Sequence, residues 1–197
     1  MIENPLLQKL KDKRLVLGSG SPRRRKFLEE LGLLFEVRLK PVEEEYPETL
    51  LGAEIADYLA KLKADALKDT LAEDELLITS DTVVWCKGHS LAKAKDAHDA
   101  KTMLEQLSGG WHEVITAVCF TSLKQQQTVH STTEVKIKKL KTTEIDFYIA
   151  QCQPFDKAGA YGIQEWFGAI AIEAIKGSYN NVVGLPTHLI YEVLEQW

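Results

Sequence analysis

The chain has 197 residues, of which 45% are hydrophobic and 27% are charged, and its formal net charge is -5. This length suits one folded domain, which we expect over residues 1–197, and the ordinary composition argues against a disordered or collagen-like chain. Net acidity argues against a protein whose whole surface binds nucleic acid, because neutralising phosphates needs a basic face. We therefore expect no stable nucleic-acid binding.

Three widely spaced cysteines supply neither a disulfide framework nor a zinc-binding pattern, which fits a reducing compartment. The N-terminal segment mixes charges into its apolar positions, and no run of about 18 apolar residues occurs in the chain. The sequence therefore predicts neither a signal peptide nor a membrane span, and we expect a cytoplasmic protein.

The first part of the chain predicts three elements: a short buried strand over 14–18, a helix over 22–31 and a second strand over 34–39. Ser21 is the expected N-cap of the helix, Pro22 takes its first position, and Gly32 ends it. The acidic, proline-marked stretch PVEEEYPE that follows the second strand is typical of an exposed loop.

Helical and extended patterns alternate through the rest of the chain. The expected elements are helices over 53–68, 97–107 and 144–150, strands over 76–84, 112–120 and 133–140, and a final helix after Pro186. We expect the strand over 76–84 to be interrupted at TSDT, and a loop near Lys93. The segment HEVITAVCF is apolar on both faces, which predicts an inner strand beside a half-exposed one, joined by the polar connection KQQQ. This mixture predicts an α/β fold with a mixed sheet.

The segment GSGSPRRR at 18–25 joins the first strand to the first helix. A turn of small residues at a helix N-terminus exposes backbone N–H groups and the positive end of the helix dipole, which together bind anions. The arginines favour a polyphosphate, because guanidinium groups match phosphate oxygens bidentately. Successive helical positions lie about 100° apart, so the three arginines cannot all face one ligand. Taken alone, such a segment is more often an ordinary helix cap with solvated arginines.

Three other stretches carry polar groups that suit phosphate chemistry. Asp81 lies among apolar residues in LLITSDTVV, where its carboxylate is either satisfied in a turn or serves as a general base or metal ligand. The acidic run EEE at 43–45 is typical of a solvated loop, although magnesium commonly uses one or two such carboxylates. The segment DKAGAYGIQ at 156–164 either shapes a loop or presents its glutamine to a base edge. Lys63 and Lys93 carry little signal singly.

Six segments follow one another along the chain: GSGSPRRRKFLEELG, EEE, SDTVV, LAKAKDAHDAKTMLEQLSGGWHEVITAV, DKAGAYGIQ and IKGSYNNVVGLP. Together and in this order, they closely resemble the Maf family of nucleotide pyrophosphatases. The resemblance runs from Val16 to Leu185. It implies an α/β fold with an elongated mixed β-sheet, flanking helices and two lobes around a cleft, similar to inosine triphosphate pyrophosphatases. It also implies a homodimer that uses a divalent cation, Mg²⁺ or Mn²⁺, to hydrolyse nucleoside triphosphates to monophosphates and pyrophosphate.

The resemblance assigns roles to individual residues. The implied site comprises catalytic Asp81, Lys63 and Lys93, metal ligands Glu44 and Asp81, and substrate-binding Ser19, Ser21, Arg23, Arg24, Thr82 and Gln164. In the subgroup that resembles dTTP and UTP pyrophosphatases, arginine follows the SP pair, threonine follows the catalytic aspartate, and glutamine ends GIQ. This chain has all three features, at Arg23, Thr82 and Gln164.

The implied activity is therefore hydrolysis of dTTP and UTP, with modified pyrimidine nucleotides as further candidates. Two alternatives stay open, a 7-methyl-GTP pyrophosphatase and a non-catalytic nucleotide-binding regulator of septum formation.

Two positions depart from the family pattern. Ala94 stands where proline is usual, and GIQ is followed by Glu165, Trp166 and Phe167 where a small residue is usual. These three residues either narrow the base pocket or cover it.

Overall fold

The structure is a computed structural model and describes residues 4–197. Its elements in chain order are α1 (Pro5–Lys9), β1 (Arg14–Leu17), α2 (Pro22–Glu30), β2 (Phe35–Val37), α3 (Ala53–Lys68), β3 (Glu75–Cys86), β4 (His89–Leu91), α4 (Ala97–Leu107), β5 (Trp111–Thr121), β6 (Gln126–Ile137), α5 (Thr142–Cys152), α6 (Trp166–Ala171), β7 (Ile172–Lys176), α7 (Tyr179–Val183) and α8 (Thr187–Gln196). No helix within residues 4–197 is long and apolar enough to span a membrane.

The described strands form one mixed seven-stranded sheet. Its order is β2-β1-β3-β5-β6-β7, and β4 pairs with β3 off this path. Strand β1 is parallel to both β2 and β3, whereas the β3–β4 and β6–β7 pairs are antiparallel. The prediction of an α/β fold with a mixed sheet and flanking helices is confirmed.

The chain divides into two compact units. Among the described residues, unit 1 comprises 4–81, 116–131 and 184–197, and unit 2 comprises 82–115 and 132–183. The prediction of one domain over residues 1–197 includes three residues outside the described part of the chain, and it stays a prediction.

Unit 1 is organised around the parallel pair β1 and β3. Leu15 lies opposite Leu76 and Leu17 opposite Ile78, and all four side chains are buried. Such continuous apolar runs are typical of parallel strands covered on both faces. At the end of β1 a Cβ on Gly18 would lie 2.7 Å from Thr79 Cγ2, so only glycine lets the chain leave the sheet there. The predicted strand, turn and helix over 14–31 are confirmed.

The predicted interruption of the third strand at TSDT is wrong. Strand β3 runs unbroken from Glu75 to Cys86, and Thr79 and Ser80 are fully buried within it. The Thr79 hydroxyl donates to the carbonyl of Ala60 in α3 at 2.7 Å. A partner on the covering helix thus lets a polar side chain remain inside the sheet.

A buried carboxylate at the start of β3 links that strand to the start of β1 and to the residue that follows β2. Glu75 is 3% exposed, and each of its carboxylate oxygens accepts a 2.9 Å hydrogen bond from the guanidinium of Arg38. Arg14 at the start of β1 adds a 3.3 Å ion pair. The hydrogen bonds from Arg38 lower the pKa of Glu75 despite its burial.

Unit 2 packs α4 and α5 around a core that includes Leu104, Tyr148 and Phe167. Helix α4 has the predicted bounds, and α5 is longer than predicted by two residues at each end.

The hairpin between β3 and β4 was not predicted. The two turn residues, Lys87 and Gly88, both have positive φ, as a type I′ turn in a two-residue hairpin requires. Also unpredicted were α1, α6, β7 and α7.

Candidate active site

The turn between β1 and α2 is shaped by two serine hydroxyls. Ser21 is the N-cap of α2, and its Oγ accepts the backbone N–H of Arg24 at 3.4 Å. Ser19 Oγ in turn accepts the N–H of Ser21 at 3.3 Å. Helix α2 has nine residues, so its dipole and first N–H groups favour an anion at this end.

The three arginines of this segment lie in different surroundings. Arg25 is exposed, whereas Arg23 and Arg24 are half-buried. The Arg24 guanidinium donates to the carbonyl of Ser80 at 2.7 Å, to the carbonyl of Gly184 at 3.0 Å and to Ser19 Oγ at 3.3 Å. Burial lowers the pKa of Arg24, and the negative charge of Asp81 opposes that effect. Arg24 therefore connects the turn between β1 and α2 to Ser80, the residue directly before Asp81.

A lysine between two carboxylates forms the charged centre of unit 1. Asp81 is only 7% exposed, in the middle of β3, and its Oδ1 lies 2.5 Å from Lys63 Nζ on α3. The same ammonium lies 2.8 Å from Oε1 of Glu44, which comes from the exposed loop after β2. Residues from a helix, a strand and a loop thus converge on one point.

Two carboxylates at one point are the hard-oxygen ligands that Mg²⁺ uses when substrate phosphates complete its coordination. Within residues 4–197, no group of three or more His, Cys, Asp and Glu side chains forms a complete protein cage for a metal. The pair formed by Glu44 and Asp81 therefore fits a cation that binds together with its phosphate ligand.

The other three residues of the implied site belong to unit 2. Thr82 follows Asp81 in β3 and is half-buried. Lys93 is exposed and forms an isolated antiparallel bridge with Ala158, beside the 2.9 Å hydrogen bond from Gly159 N–H to the carbonyl of Leu91. Gln164 is exposed in the turn that follows. The segments that carry Lys93 and Gln164 are thus joined by backbone hydrogen bonds at the start of DKAGAYGIQ.

Sequence reasoning missed the backbone carbonyls that hold Arg24. Gly184 lies in the segment IKGSYNNVVGLP, which the family resemblance includes without giving it a role. Its separation of 160 residues from Arg24 is too large for any local pattern to reveal the contact. In the structure Gly184 has a φ of 125°, a conformation that favours glycine, but the sequence itself carries no signal that its carbonyl accepts from Arg24.

Comparison with known proteins gives consistent matches over nearly the whole chain. A family model described as "Maf-like protein" matches residues 14–197. Proteins named dTTP/UTP pyrophosphatase from Flavobacterium psychrophilum and Flavobacterium johnsoniae are 51% and 50% identical to it. These alignments cover 94% and 96% of this chain and 95% and 97% of the relatives. A protein of the same name from Phocaeicola vulgatus is 45% identical over 97% of this chain and 100% of its own length.

Among solved structures, the Staphylococcus aureus Ham1 protein aligns with a TM-score of 0.45 and 15% identity. The alignment covers 64% of this chain and 72% of that protein.

Proposed function

The chain belongs to the Maf family, and from that premise we propose that it hydrolyses dTTP and UTP to the nucleoside monophosphate and pyrophosphate. Relatives of that name, about half identical to it over almost their full length, support this activity. The structural observation that carries the proposal is the convergence of Lys63, Asp81 and Glu44, with Arg24 bound to the residue before Asp81.

The β1–α2 turn and the cations around it bind the triphosphate in this proposal. The N–H groups of the turn and the α2 dipole stabilise the negative phosphate oxygens. The ammonium groups of Lys63 and Lys93 neutralise further charge on the phosphates. Ser19 and Ser21 keep the turn in shape through the hydrogen bonds described above.

Asp81 orients the attacking water and accepts a proton from it. The water oxygen forms a bond to the α-phosphorus while the bond between that phosphorus and the α,β-bridging oxygen breaks. The electron pair of the broken bond leaves with the pyrophosphate. Lys63, at 2.5 Å, holds the Asp81 carboxylate in place before the reaction. Such positioned proton acceptors contribute about 10²-fold to 10⁴-fold in rate.

We propose that Glu44 and Asp81 hold a divalent cation, Mg²⁺ or Mn²⁺, together with the substrate phosphates. When bound, the cation neutralises negative charge on the phosphates. The 2.8 Å and 2.5 Å contacts to Lys63 place the two carboxylates close enough to share one positive group. That arrangement supports the assignment of Glu44 as the ligand from the acidic loop.

Base recognition is assigned to Arg23, Thr82 and Gln164, on the basis of the family resemblance. The amide of Gln164 can both donate to and accept from a pyrimidine edge. We further propose a cytoplasmic homodimer without membrane attachment. The net charge of -5 supports the expectation that it does not bind nucleic acid stably.

The test is a panel of pyrophosphate-release assays on dTTP, UTP, CTP and 7-methyl-GTP, each with and without Mg²⁺. We expect turnover of dTTP and UTP that requires the metal. The control is Asp81→Asn, which keeps the shape of the side chain but accepts a proton poorly, and which should lose at least about 100-fold in kcat. Preference for 7-methyl-GTP would favour that alternative, and binding of nucleotides without turnover would favour the regulator.

A further inference from the structure

A single tyrosine hydroxyl closes the turn that carries Gln164. Residues 162–165 form a β-turn in which the N–H of Glu165 donates to the carbonyl of Gly162 at 3.1 Å. The hydroxyl of Tyr148, from α5, accepts the N–H of Gly162 at 2.9 Å. The same hydroxyl donates to Oε2 of Glu165. Both ends of the turn are therefore attached to one buried side chain, and Gln164 lies between them.

Glu165 reaches this hydroxyl because the residue beneath it has no side chain. A Cβ on Gly162 would lie 2.7 Å from the carboxyl carbon of Glu165. The second oxygen of Glu165 lies 2.8 Å from the ammonium of Lys157. The acidic residue that departs from the family pattern after GIQ thus folds back onto its own turn, between Tyr148 and Lys157.

The charges and packing keep this arrangement in one state. Burial and the hydrogen bond to Glu165 raise the pKa of Tyr148, so its hydroxyl stays protonated as a donor. Burial alone would lower the pKa of Lys157, but the carboxylates of Asp156 and Glu165 outweigh it and raise the pKa. The ring of Tyr148 packs against Phe167 at 5.1 Å between centroids.

The backbone of the turn is also in close contact with helix α6. A Cβ on Gly168 in α6 would lie 1.8 Å from the carbonyl oxygen of Ile163, so the helix packs directly on the turn. Gln164 itself remains exposed. The turn is fixed while the side chain that it carries is accessible to a ligand.

We propose that Tyr148 and Glu165 are positioning residues for Gln164, because they fix the backbone from which its amide reaches the pyrimidine base. The inference rests on the proposed function. An amide carried by a fixed turn distinguishes an edge that offers O4 from one that offers an amino group better than an amide on a mobile turn, which can shift to suit either. The clamp formed by Tyr148, Glu165 and Lys157 therefore supports discrimination of UTP from CTP.

The experiment compares kcat/KM for UTP and CTP in Tyr148→Phe, Glu165→Ala and Glu165→Gln. Tyr148→Phe removes only the hydroxyl, and Glu165→Ala removes its acceptor. We expect each to reduce the UTP-to-CTP ratio about threefold to tenfold, chiefly through a higher KM for UTP. Glu165→Gln keeps an oxygen that accepts from Tyr148 and should retain most of the ratio. The matched control is Asp146→Ala, on the same helix as Tyr148, which removes an exposed 2.7 Å contact to Lys101.

Melting temperatures of the same variants separate positioning from stability. If the variants melt earlier but lose activity on UTP and CTP equally, the clamp is merely structural and the inference is wrong. An unchanged ratio in both Tyr148→Phe and Glu165→Ala would also overturn it. Should Tyr148→Phe fail to fold, Glu165→Ala and Glu165→Gln decide the question alone. Wild-type protein that hydrolyses no pyrimidine triphosphate would instead refute the proposed function.

Discussion

Replacing Arg24 tests whether its main role is to hold the site together. Its guanidinium donates at 2.7 Å and 3.0 Å to the carbonyls of Ser80 and Gly184, which are both buried residues. Hydrogen bonds from a charged group contribute about 1.5–3 kcal/mol each, so Arg24→Met should lower the free energy of unfolding by about 3–6 kcal/mol. For a chain of this length, the smaller value corresponds to a fall of about 10 °C in Tm.

The assay combines thermal unfolding with steady-state kinetics of pyrophosphate release. Arg24→Met should also lower kcat/KM by about 100-fold, because small displacements of a catalytic group have effects of that size. Arg24→Lys keeps the charge but not the forked geometry, and it should recover only part of the stability. Arg25→Met, an exposed neighbour on the same helix, is the matched control.

Arg24 does not hold the site together if Arg24→Met melts at the same temperature as Arg25→Met. A higher KM without a loss of stability would show that Arg24 acts mainly as a substrate ligand, as the family resemblance implies. Substrate binding by Arg24 stays a prediction until this comparison is made.

Three other predictions follow from the charged groups of unit 1. Arg23→Trp should reduce the preference for dTTP over 7-methyl-GTP by at least about tenfold, and an unchanged kcat/KM ratio would remove Arg23 from base selection. Lys63→Met leaves the carboxylates of Glu44 and Asp81 without their shared ammonium, so kcat should fall about 100-fold. The circular dichroism spectrum should stay unchanged, and turnover at the wild-type rate would contradict a catalytic role for Lys63. Because Arg38 depresses the pKa of Glu75 in the folded state, this carboxylate stabilises the fold above the unfolded-state pKa of 4.5, and the stabilisation is lost as pH falls through the lower folded-state pKa. Urea unfolding of Glu75→Gln should show about 1–3 kcal/mol lower stability at pH 7 and a weaker acid dependence than wild type, and parallel pH profiles would refute this account.

Local chemistry explains which elements were predictable from sequence. The start of α2 follows from Ser21 as N-cap and Pro22 as first residue, and the apolar periodicity of α3 defines its full length. The interruption expected in β3 was wrong because Thr79 and Ser80 look like turn residues when read alone. Thr79 remains in the sheet because its hydroxyl donates to the carbonyl of Ala60 on the covering helix α3, a contact that the local sequence does not reveal.

The charged centre could be predicted only through the family resemblance. Lys63 and Asp81 are 18 residues apart on different elements, and no periodic pattern links either to Glu44. The contact from Tyr148 to Glu165 spans 17 residues and joins a helix to a turn. Sequence reasoning noticed Glu165 as an unusual residue, but the direction of its side chain depends on how α5 packs against the turn.

The lack of a side chain at Gly162 makes two positions of the sequence depend on each other. A Cβ there would lie 2.7 Å from the carboxyl carbon of Glu165, so a larger residue at 162 would force the carboxylate away from Tyr148. Because the GIQ motif already supplies the glycine, we expect covariation between the other two positions: among relatives, glutamate at the position of Glu165 should occur with tyrosine at 148. Pairwise statistics over aligned sequences could therefore reveal which members of the family share this closed turn before any of their structures is known.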